Sequence, residues 1–345
     1  MTSPRDFHIQ IAHRVDEIGG DAWDVLGAAR PFASYDWYRF GETVMADSPP
    51  TYLILSVDEK PAARATLYRV PDEPLPLPPL VRGPIRSLLR RSPPLICRSP
   101  LANWSGLLLP EDASLRAAAR TALLDAAKEQ LAEQNGSLLL FDFLDENLRA
   151  DWPADFILTE VSDAGTRLEI KWKSFDEYLA STDKRGRQHY KRVQREAEKL
   201  GLELSHQSSV ADVEEALALI RRVERKFRAA PNPWMRGLLE NAPMIRGVWQ
   251  EVRQRGRLVG CGLLLEDNGV MLATALGLAE GVSYAYFLLI YACLQEAVAR
   301  RVKTLRLGSG AYDVKRRLGF VLEDNNHTAV RARSPFLHRL VKLAA

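Results

Sequence analysis

One segment near the end of the chain combines two glycines with a phenol and an amine. Residues 305–320 read Leu-Arg-Leu-Gly-Ser-Gly-Ala-Tyr-Asp-Val-Lys-Arg-Arg-Leu-Gly-Phe, which indicates a strand that leaves through glycines into a short basic helix. Gly308 and Gly310 allow the backbone to approach a ligand, and a helix start there can donate N–H groups to an anion. Tyr312 can exchange a proton and Lys315 adds positive charge. The pattern predicts an anion site beside a proton donor; the alternative is a glycine-rich turn required only for sterics.

A basic helix is the second candidate. Residues 181–183 can cap a helix, predicted over 183–200, that ends at Gly201. Seven basic residues and two acidic ones lie between Lys184 and Lys199, which is enough positive charge to contact several phosphates. The alternative is a solvated face whose charge is balanced elsewhere. His189, within this helix, is expected to be a solvated surface residue.

Several common active sites are excluded by the sequence. It lacks the short motifs of phosphate-binding loops, dinucleotide-binding folds, zinc proteases and serine hydrolases. The six histidines include no i, i+4 pair, and the three cysteines include no Cys-x-x-Cys pair. We therefore expect no bound metal and no disulfide framework, which fits a reducing compartment.

The composition is that of an ordinary globular protein. The 345 residues are 46% apolar and 26% charged, with a net charge of +3. Residues 1–150 carry 16 basic and 20 acidic side chains, against 31 and 24 in residues 151–345, so the second half is the better candidate for an anionic ligand. The longest apolar run, residues 284–294, is about half of the roughly 20 residues that cross a bilayer. No apolar secretory segment opens the sequence. We expect a cytoplasmic protein.

The elements that must position these residues occur in a repeated order. A hairpin, a helix and a strand are predicted over residues 51–144 and again over 258–308, which indicates an internal duplication. Nine of the twenty prolines lie in residues 71–100, a density that excludes a helix or a central strand. This insertion is either a solvated surface loop, or a lid or a loop that contacts a membrane peripherally. We predict one domain over 1–165, with the insertion 71–100, and a second over 166–345 that opens with the basic helix.

Three stretches of this chain resemble a known family. The hairpin, apolar helix and strand that end in Leu-Gly-Ser-Gly, followed by Tyr-Asp-Val-Lys-Arg-Arg-Leu-Gly-Phe, resemble the last half of a GNAT-superfamily acyltransferase domain. Lys-Ser-Phe-Asp-Glu-Tyr-Leu-Ala at 173–180, with the basic helix, is similar to the linker region of the Fem-like group, the peptidoglycan bridge peptidyltransferases and their relatives. The aromatic cluster at 31–40 matches the opening of that group. The resemblance implies an α+β protein of two tandem GNAT-like domains, each a mixed, mostly antiparallel sheet flanked by helices.

The resemblance also implies where a donor would bind. The splayed strand would include Ala273, Thr274, Ala275, Leu276 and Gly277, and the following helix start near Gly281 and Ser283 would receive a diphosphate. The resemblance also places Tyr312 where a tyrosine protonates the leaving group. From the residues themselves, we expect Gly308 and Gly310 to let the backbone approach the donor closely and Lys315 with Arg316 to hold phosphate. Glu280 departs from the phosphate-loop pattern of the family and would repel a diphosphate. That departure argues against acyl-CoA and leaves aminoacyl-tRNA as the other donor.

The function implied is transfer of an acyl or aminoacyl group from acyl-CoA or aminoacyl-tRNA to an amine of a small molecule or peptide. Nothing in the residues identifies the acceptor or the oligomeric state. The alternative is a non-catalytic duplicated scaffold that binds an anionic metabolite, a lipid head group or RNA. The predicted substrate-binding residues are aromatic side chains that could stack a substrate and cations of the basic helix: Trp37, Tyr38, Trp104, Arg185, Lys191 and Trp234.

Overall fold

The computed structural model describes residues 7–27, 29–71, 87, 89–160 and 163–344. The chain divides into two compact units, one of residues 1–162 and 324–345 and the other of residues 163–323. Most of the predicted proline-rich insertion, residues 72–86 and 88, lies outside the described residues. Residues 324–345 belong to the first unit, whereas the sequence predicts them in the second domain.

Strands and helices are numbered here in chain order over the described residues. The strands are β1 Phe7–Ala12, β2 Pro50–Val57, β3 Lys60–Arg69, β4 Leu95–Cys97, β5 Leu107–Leu108, β6 Leu138–Leu144, β7 Ile157–Glu160, β8 Thr166–Glu169, β9 Leu202–Gln207, β10 Val248–Gln254, β11 Arg257–Asp267, β12 Val270–Leu278, β13 Thr304–Leu307, β14 Val321–Leu322 and β15 His327–Ala332. The helices are α1 Gly20–Gly27, α2 Tyr35–Val44, α3 Ala113–Glu133, α4 Glu146–Arg149, α5 Phe175–Ser181, α6 Lys184–Lys199, α7 Val213–Phe227, α8 Met235–Asn241, α9 Ser283–Ala299, α10 Tyr312–Arg317 and α11 Pro335–Ala344.

Each unit is built on one mixed, mostly antiparallel sheet. The first sheet has the order β1-β2-β3-β4-β6-β15-β7, with β5 paired to β3. The second has the order β14-β8-β13-β12-β11-β10-β9. The parallel pairs are β4 with β6 in the first sheet and β12 with β13 in the second. Counted from its parallel pair outward, each sheet has three strands on one side and two on the other, which is the signature of a duplicated fold.

The two sheets exchange one strand each: β15 in the first sheet and β8 in the second each occupy the place that chain order would give to the other. Beside β6, the first sheet takes β15 from the end of the chain, antiparallel to both β6 and β7. Beside β13, the second sheet takes β8, which directly follows β7 in the sequence. The chain therefore passes between the two units twice. This exchange is why residues 324–345 belong to the first unit, contrary to the sequence prediction.

The counterpart of the second hairpin is interrupted in the first unit. By position in the sheet, β11 and β12 correspond to β3 and β4, and the chain between β3 and β4 is where the prolines lie. The sequence pattern predicts that β2–β3, and not β3–β4, corresponds to β11–β12. The proline density predicts that all of residues 71–100 are irregular, whereas Leu95–Cys97 is a buried strand between β3 and β6. A three-residue strand between prolines offers too little pattern to be recognised.

Local sequence explains the elements that position the site. Asp183 caps α6 by accepting a hydrogen bond from the Gly186 N–H, and Val193 and Ala197 are its buried residues. Asp212 caps α7 by accepting from the Glu215 N–H. The core of the second unit joins such helix residues to the sheet, including Met271 and Leu305. The sheet is covered by α9 on one face, where Gly260 of β11 lies against Ala285, and by α7 on the other, where Gly277 of β12 lies against Leu219.

Candidate active site

The two parallel strands of the second sheet separate at their C-terminal ends. They pair only from Val270↔Thr304 to Ala273↔Leu307. Beyond these pairs, β12 continues to Leu278, whereas β13 ends at Leu307 and is followed by Gly308. Residues 274–277 of the predicted splayed segment therefore lie beyond the last pair with β13, and their role in binding a donor stays a prediction. Because ladder pairing ends at Ala273, the edge of β12 that faces β13 has no strand partner among the described residues from Thr274 onward.

A β-bulge lies in this open segment. Ala275 and Leu276 stand opposite the single residue Gly262, between the pairs Cys261↔Gly277 and Leu263↔Thr274. Ala275 has a φ of +53°, the left-handed region that non-glycine residues rarely adopt. A bulge turns peptide groups out of the ladder, so it can aim an N–H at a ligand. Backbone strain of this kind is concentrated at functional sites.

The loop after β12 leads directly into helix α9. Gly281 has a φ of +76° and is exposed, and Val282 at the N-cap offers no side-chain hydrogen bond to the helix. Helix α9 begins at Ser283, so its first residue is small. Glu280, expected to repel a diphosphate, forms an ion pair with Arg222 of α7, so part of its charge is compensated.

A groove of about 1280 Å³ lies between α6, α9 and α10. Two of these helices, α9 and α10, are the ones that follow the C-terminal ends of the separated strands. Ligand crevices form outside the carboxyl ends of parallel strands. The lining residues are Asp183, Arg185, Gly186, Gln188, His189, Lys191, Arg192, Arg195, Tyr284, Phe287, Tyr291, Val314, Arg317 and Leu318.

The groove is cationic on one wall and aromatic on the other. Arg185, Lys191 and Arg192 of α6 are exposed and, like Arg317 of α10, form no ion pair with any acidic group in the part of the chain that the structure describes. Arg195 is partnered, by Glu196 at 3.3 Å. The predicted substrate-binding residues Arg185 and Lys191 therefore lie together here. Unpaired cations in a groove favour an anionic occupant.

The position of His189 differs from the sequence prediction. It is half-buried in the groove rather than solvated, and its Nδ1 shares a hydrogen bond of 2.9 Å with the Tyr291 hydroxyl. Burial, helped by the positive charges of Arg192 and Arg317, lowers the pKa of His189, while burial raises the pKa of Tyr291 to about 12. The imidazole is therefore neutral near neutral pH. The pattern around it, three aromatic residues on α9, was visible in the sequence only as an apolar run.

The phenol and the cations after β13 occupy three different environments. The Tyr312 hydroxyl is part-buried and donates to the Ala164 carbonyl oxygen at 2.9 Å, and Tyr312 does not line the groove. Lys315 is buried and donates to the carbonyl oxygens of Gly308 and Ser309, with its pKa lowered by burial to about 8. The prediction that Lys315 holds phosphate is wrong, because its ammonium is used to close the glycine loop.

The position of Arg316 also differs from the sequence prediction. Arg316, expected to hold phosphate, is exposed beside Asp313 at 3.6 Å and lies outside the groove lining. The next residue, Arg317, faces the groove instead. A one-residue error of this kind turns a helical side chain by about 100°, and the sequence of three consecutive basic residues could not resolve it.

The glycines of the predicted donor site divide into two kinds. A Cβ at Gly277 would lie 2.5 Å from the Cys261 Sγ and 2.8 Å from the Leu219 Cβ, so this glycine is required for the packing of α7 and not for a ligand. Gly308 and Gly310 have open space within 4 Å of the equivalent position. Their role at a ligand stays a prediction.

Two of the predicted stacking aromatics are core residues. Trp37 and Tyr38 are each 1% exposed in the first unit, where the Trp37 Nε1–H donates to the Pro100 carbonyl at 2.9 Å. Tyr38 packs against Trp23 and Tyr52, and Trp37 packs against Phe32 and Phe40, which excludes both from contact with a substrate. Trp104 and Trp234 are partly exposed, and neither lines the groove. In the described residues no cluster of His, Cys, Asp and Glu could hold a metal ion.

Comparisons with known proteins agree with this architecture. Residues 184–316 match the family described as acetyltransferase (GNAT) domain. FemX shares the fold at 11% identity with a TM-score of 0.61, over 96% of this chain and 100% of that chain. A tandem GNAT protein from the clavulanic acid biosynthesis pathway gives 14% identity and 0.58, over 96% and 99%. L-PGS from Bacillus licheniformis gives 13% and 0.55, over 97% and 98%. No curated protein sequence matches this chain. The expected fold is confirmed.

Proposed function

We propose, from the GNAT domain of residues 184–316 and the tandem GNAT fold that contains it, that the protein is an N-acyltransferase that moves an acyl group from an activated carrier to an amine. The observation that carries the proposal is the separation of β12 from β13 with a bulge at Ala275 and Leu276. An open strand edge can hold an extended arm of a carrier by main-chain hydrogen bonds. The bulge supplies N–H groups for an oxyanion.

The groove supports a phosphate-bearing carrier. Arg185, Lys191, Arg192 and Arg317 form no ion pair with any acidic group of the described chain, and Tyr284 and Phe287 offer apolar rings beside them. Coenzyme A and the 3′ end of a tRNA share this chemistry, an adenosine with adjacent phosphates. With the phosphates held here, the acyl group would extend towards the β12 edge. Because an ester or thioester is already activated, orientation supplies much of the rate enhancement.

Two residues could manage protons in this scheme. His189 is assigned as the acceptor of the amine proton, since its lowered pKa leaves it neutral and an Nδ1–H donated to Tyr291 would leave Nε2 as a base. Tyr312 is assigned as the acid that protonates the leaving group. Its hydroxyl would first have to release the Ala164 carbonyl, so its participation requires a movement of α10 or of residues near 164.

The test compares donors on the purified full chain. Calorimetric titration with coenzyme A and with deacylated tRNA identifies the carrier, and transfer from acetyl-CoA or an aminoacyl-tRNA to a panel of amines measures turnover. We expect one carrier to bind, with affinity that falls as salt rises. Failure of both carriers to bind, or binding without any transfer, would overturn the enzyme assignment. Binding without transfer would favour a non-catalytic scaffold for anions.

A further inference from the structure

Helix α11 exposes an apolar stripe to solvent. Phe336 is 73% exposed, Leu340 38% and Leu343 85%. Their spacing of four and three residues puts them on one face of the helix. Leu337, about 90° around the helix from the centre of the stripe, is 7% exposed, and α11 packs against β15 of the first sheet. The inner face therefore holds the helix to its unit, while the outer face has no protein partner among the described residues.

Positive charge surrounds this stripe. Arg333, Arg339 and Lys342 are exposed, and within the described chain none of them forms an ion pair. The sequence has no acidic residue after Asp324. A helix that combines large apolar side chains on one face with flanking cations is the physical signature of an interfacial helix. Anionic headgroups complement the cations, and the boundary of the acyl region accommodates the apolar side chains.

We propose that α11 docks the protein on an anionic membrane surface, with Phe336, Leu340 and Leu343 inserted and the three cations at the headgroups. A second copy of this chain is a poorer occupant. In a symmetric dimer through this face, each helix would meet its own copy, which brings Arg339 and Lys342 of both chains together with no acidic partner on the helix. This inference does not depend on the proposed acyl transfer, because α11 belongs to the other unit from the groove.

The experiment is co-sedimentation of the full chain with phosphatidylglycerol vesicles and, separately, phosphatidylcholine vesicles. We expect binding to the anionic vesicles that weakens with salt, and at least tenfold weaker binding to the neutral ones. Phe336→Ser with Leu343→Ser should lower the partition coefficient at least tenfold, because two large apolar side chains no longer enter the membrane. Arg339→Gln or Lys342→Gln should each lower it about fivefold.

Val25→Ser is the matched control, because Val25 is 70% exposed on α1 of the same unit and lies outside the stripe. It should bind vesicles like the unchanged protein. All the altered side chains are exposed, so circular dichroism should show that each variant folds. Equal binding by the double variant, equal binding to both lipids, or a dimer in sedimentation that the double variant dissociates without any vesicle binding would overturn the proposal.

Discussion

At the scale of single residues, burial separates cations that the sequence makes look equivalent. Lys315 and Arg317 are two positions apart on α10. The ammonium of Lys315 is buried and donates to the carbonyls of Gly308 and Ser309, whereas Arg317 faces the groove. One cation therefore shapes the loop after β13, and the other is available to a ligand. An unpaired carbonyl in that loop would cost free energy if the lysine were removed.

Tyr312→Phe tests the proposed acid. Removal of the hydroxyl should lower turnover about a hundredfold, the lower end of the range for general acid catalysis. It should also lower the free energy of unfolding by about 1 kcal/mol, because the hydrogen bond to the Ala164 carbonyl is lost. Steady-state kinetics and urea unfolding measure the two effects. Unchanged turnover with lowered stability would leave Tyr312 a purely structural residue.

His189 should make stability depend on pH. Its pKa in the folded protein is below the ordinary value of 6.5, so between these two pKa values the unfolded chain binds more protons. The contribution of His189 to stability is thus fully present above pH 6.5 and is lost as the pH falls through the lowered pKa. His189→Gln should flatten this part of the profile of unfolding free energy against pH. The acid limb should also disappear from the pH profile of turnover. If His189→Gln keeps the acid limb in both the stability profile and the turnover profile, His189 is not the proposed base.

At the scale of elements, the groove face of α6 can be compared with its other face. Arg192→Gln should weaken binding of the carrier about tenfold, the loss expected for one charge-assisted hydrogen bond. Lys199→Gln is the control on the same helix, since Lys199 pairs with Glu196 at 3.1 Å and lies outside the groove. Calorimetric titration of the carrier measures both. Equal losses in the two variants would indicate an effect of net charge and not of the groove.

The contact of α7 with β12 is close enough to depend on one glycine. Gly277→Ala would place a Cβ within van der Waals overlap of Cys261 and Leu219, so we expect a loss of about 1–3 kcal/mol in the free energy of unfolding. Gly281→Ala is not a matched control because of its positive φ, whereas Gly262→Ala meets only the Thr274 carbonyl oxygen at 3.9 Å. Chemical denaturation should show the large loss for Gly277→Ala alone.

Long elements with a regular pattern could be predicted from the sequence, and short or tertiary features could not. The helix predicted over 183–200 is observed over Lys184–Lys199, because its caps and buried stripe are local. The β4 strand has three residues, and the bulge at Ala275 leaves no composition signal. The burial of Trp37 and the position of His189 depend on which distant residues pack against them. Such contacts are set by the whole fold and not by neighbours in the chain.

At the scale of the whole molecule, the exchanged strands predict how the chain responds to truncation. A chain that ends at Glu323 would lack β15, which pairs with both β6 and β7 in the first sheet. Loss of a central strand leaves the backbone groups of two neighbours unpaired. We expect this chain to be recovered mainly as aggregate, whereas a chain that ends at Arg333 should stay folded, as measured by size-exclusion chromatography and thermal unfolding. A folded, monomeric 1–323 chain would contradict this pairing.

The position of β15 has a consequence for synthesis on the ribosome. Domains near the N-terminus usually fold first, while the rest of the chain is still being made. Here the first sheet waits for β15, which is translated after every strand of the second sheet and long after β8. The nascent chain should therefore expose the edges of β6 and β7 until β15 has been translated, and the first unit should become protease-resistant after the second.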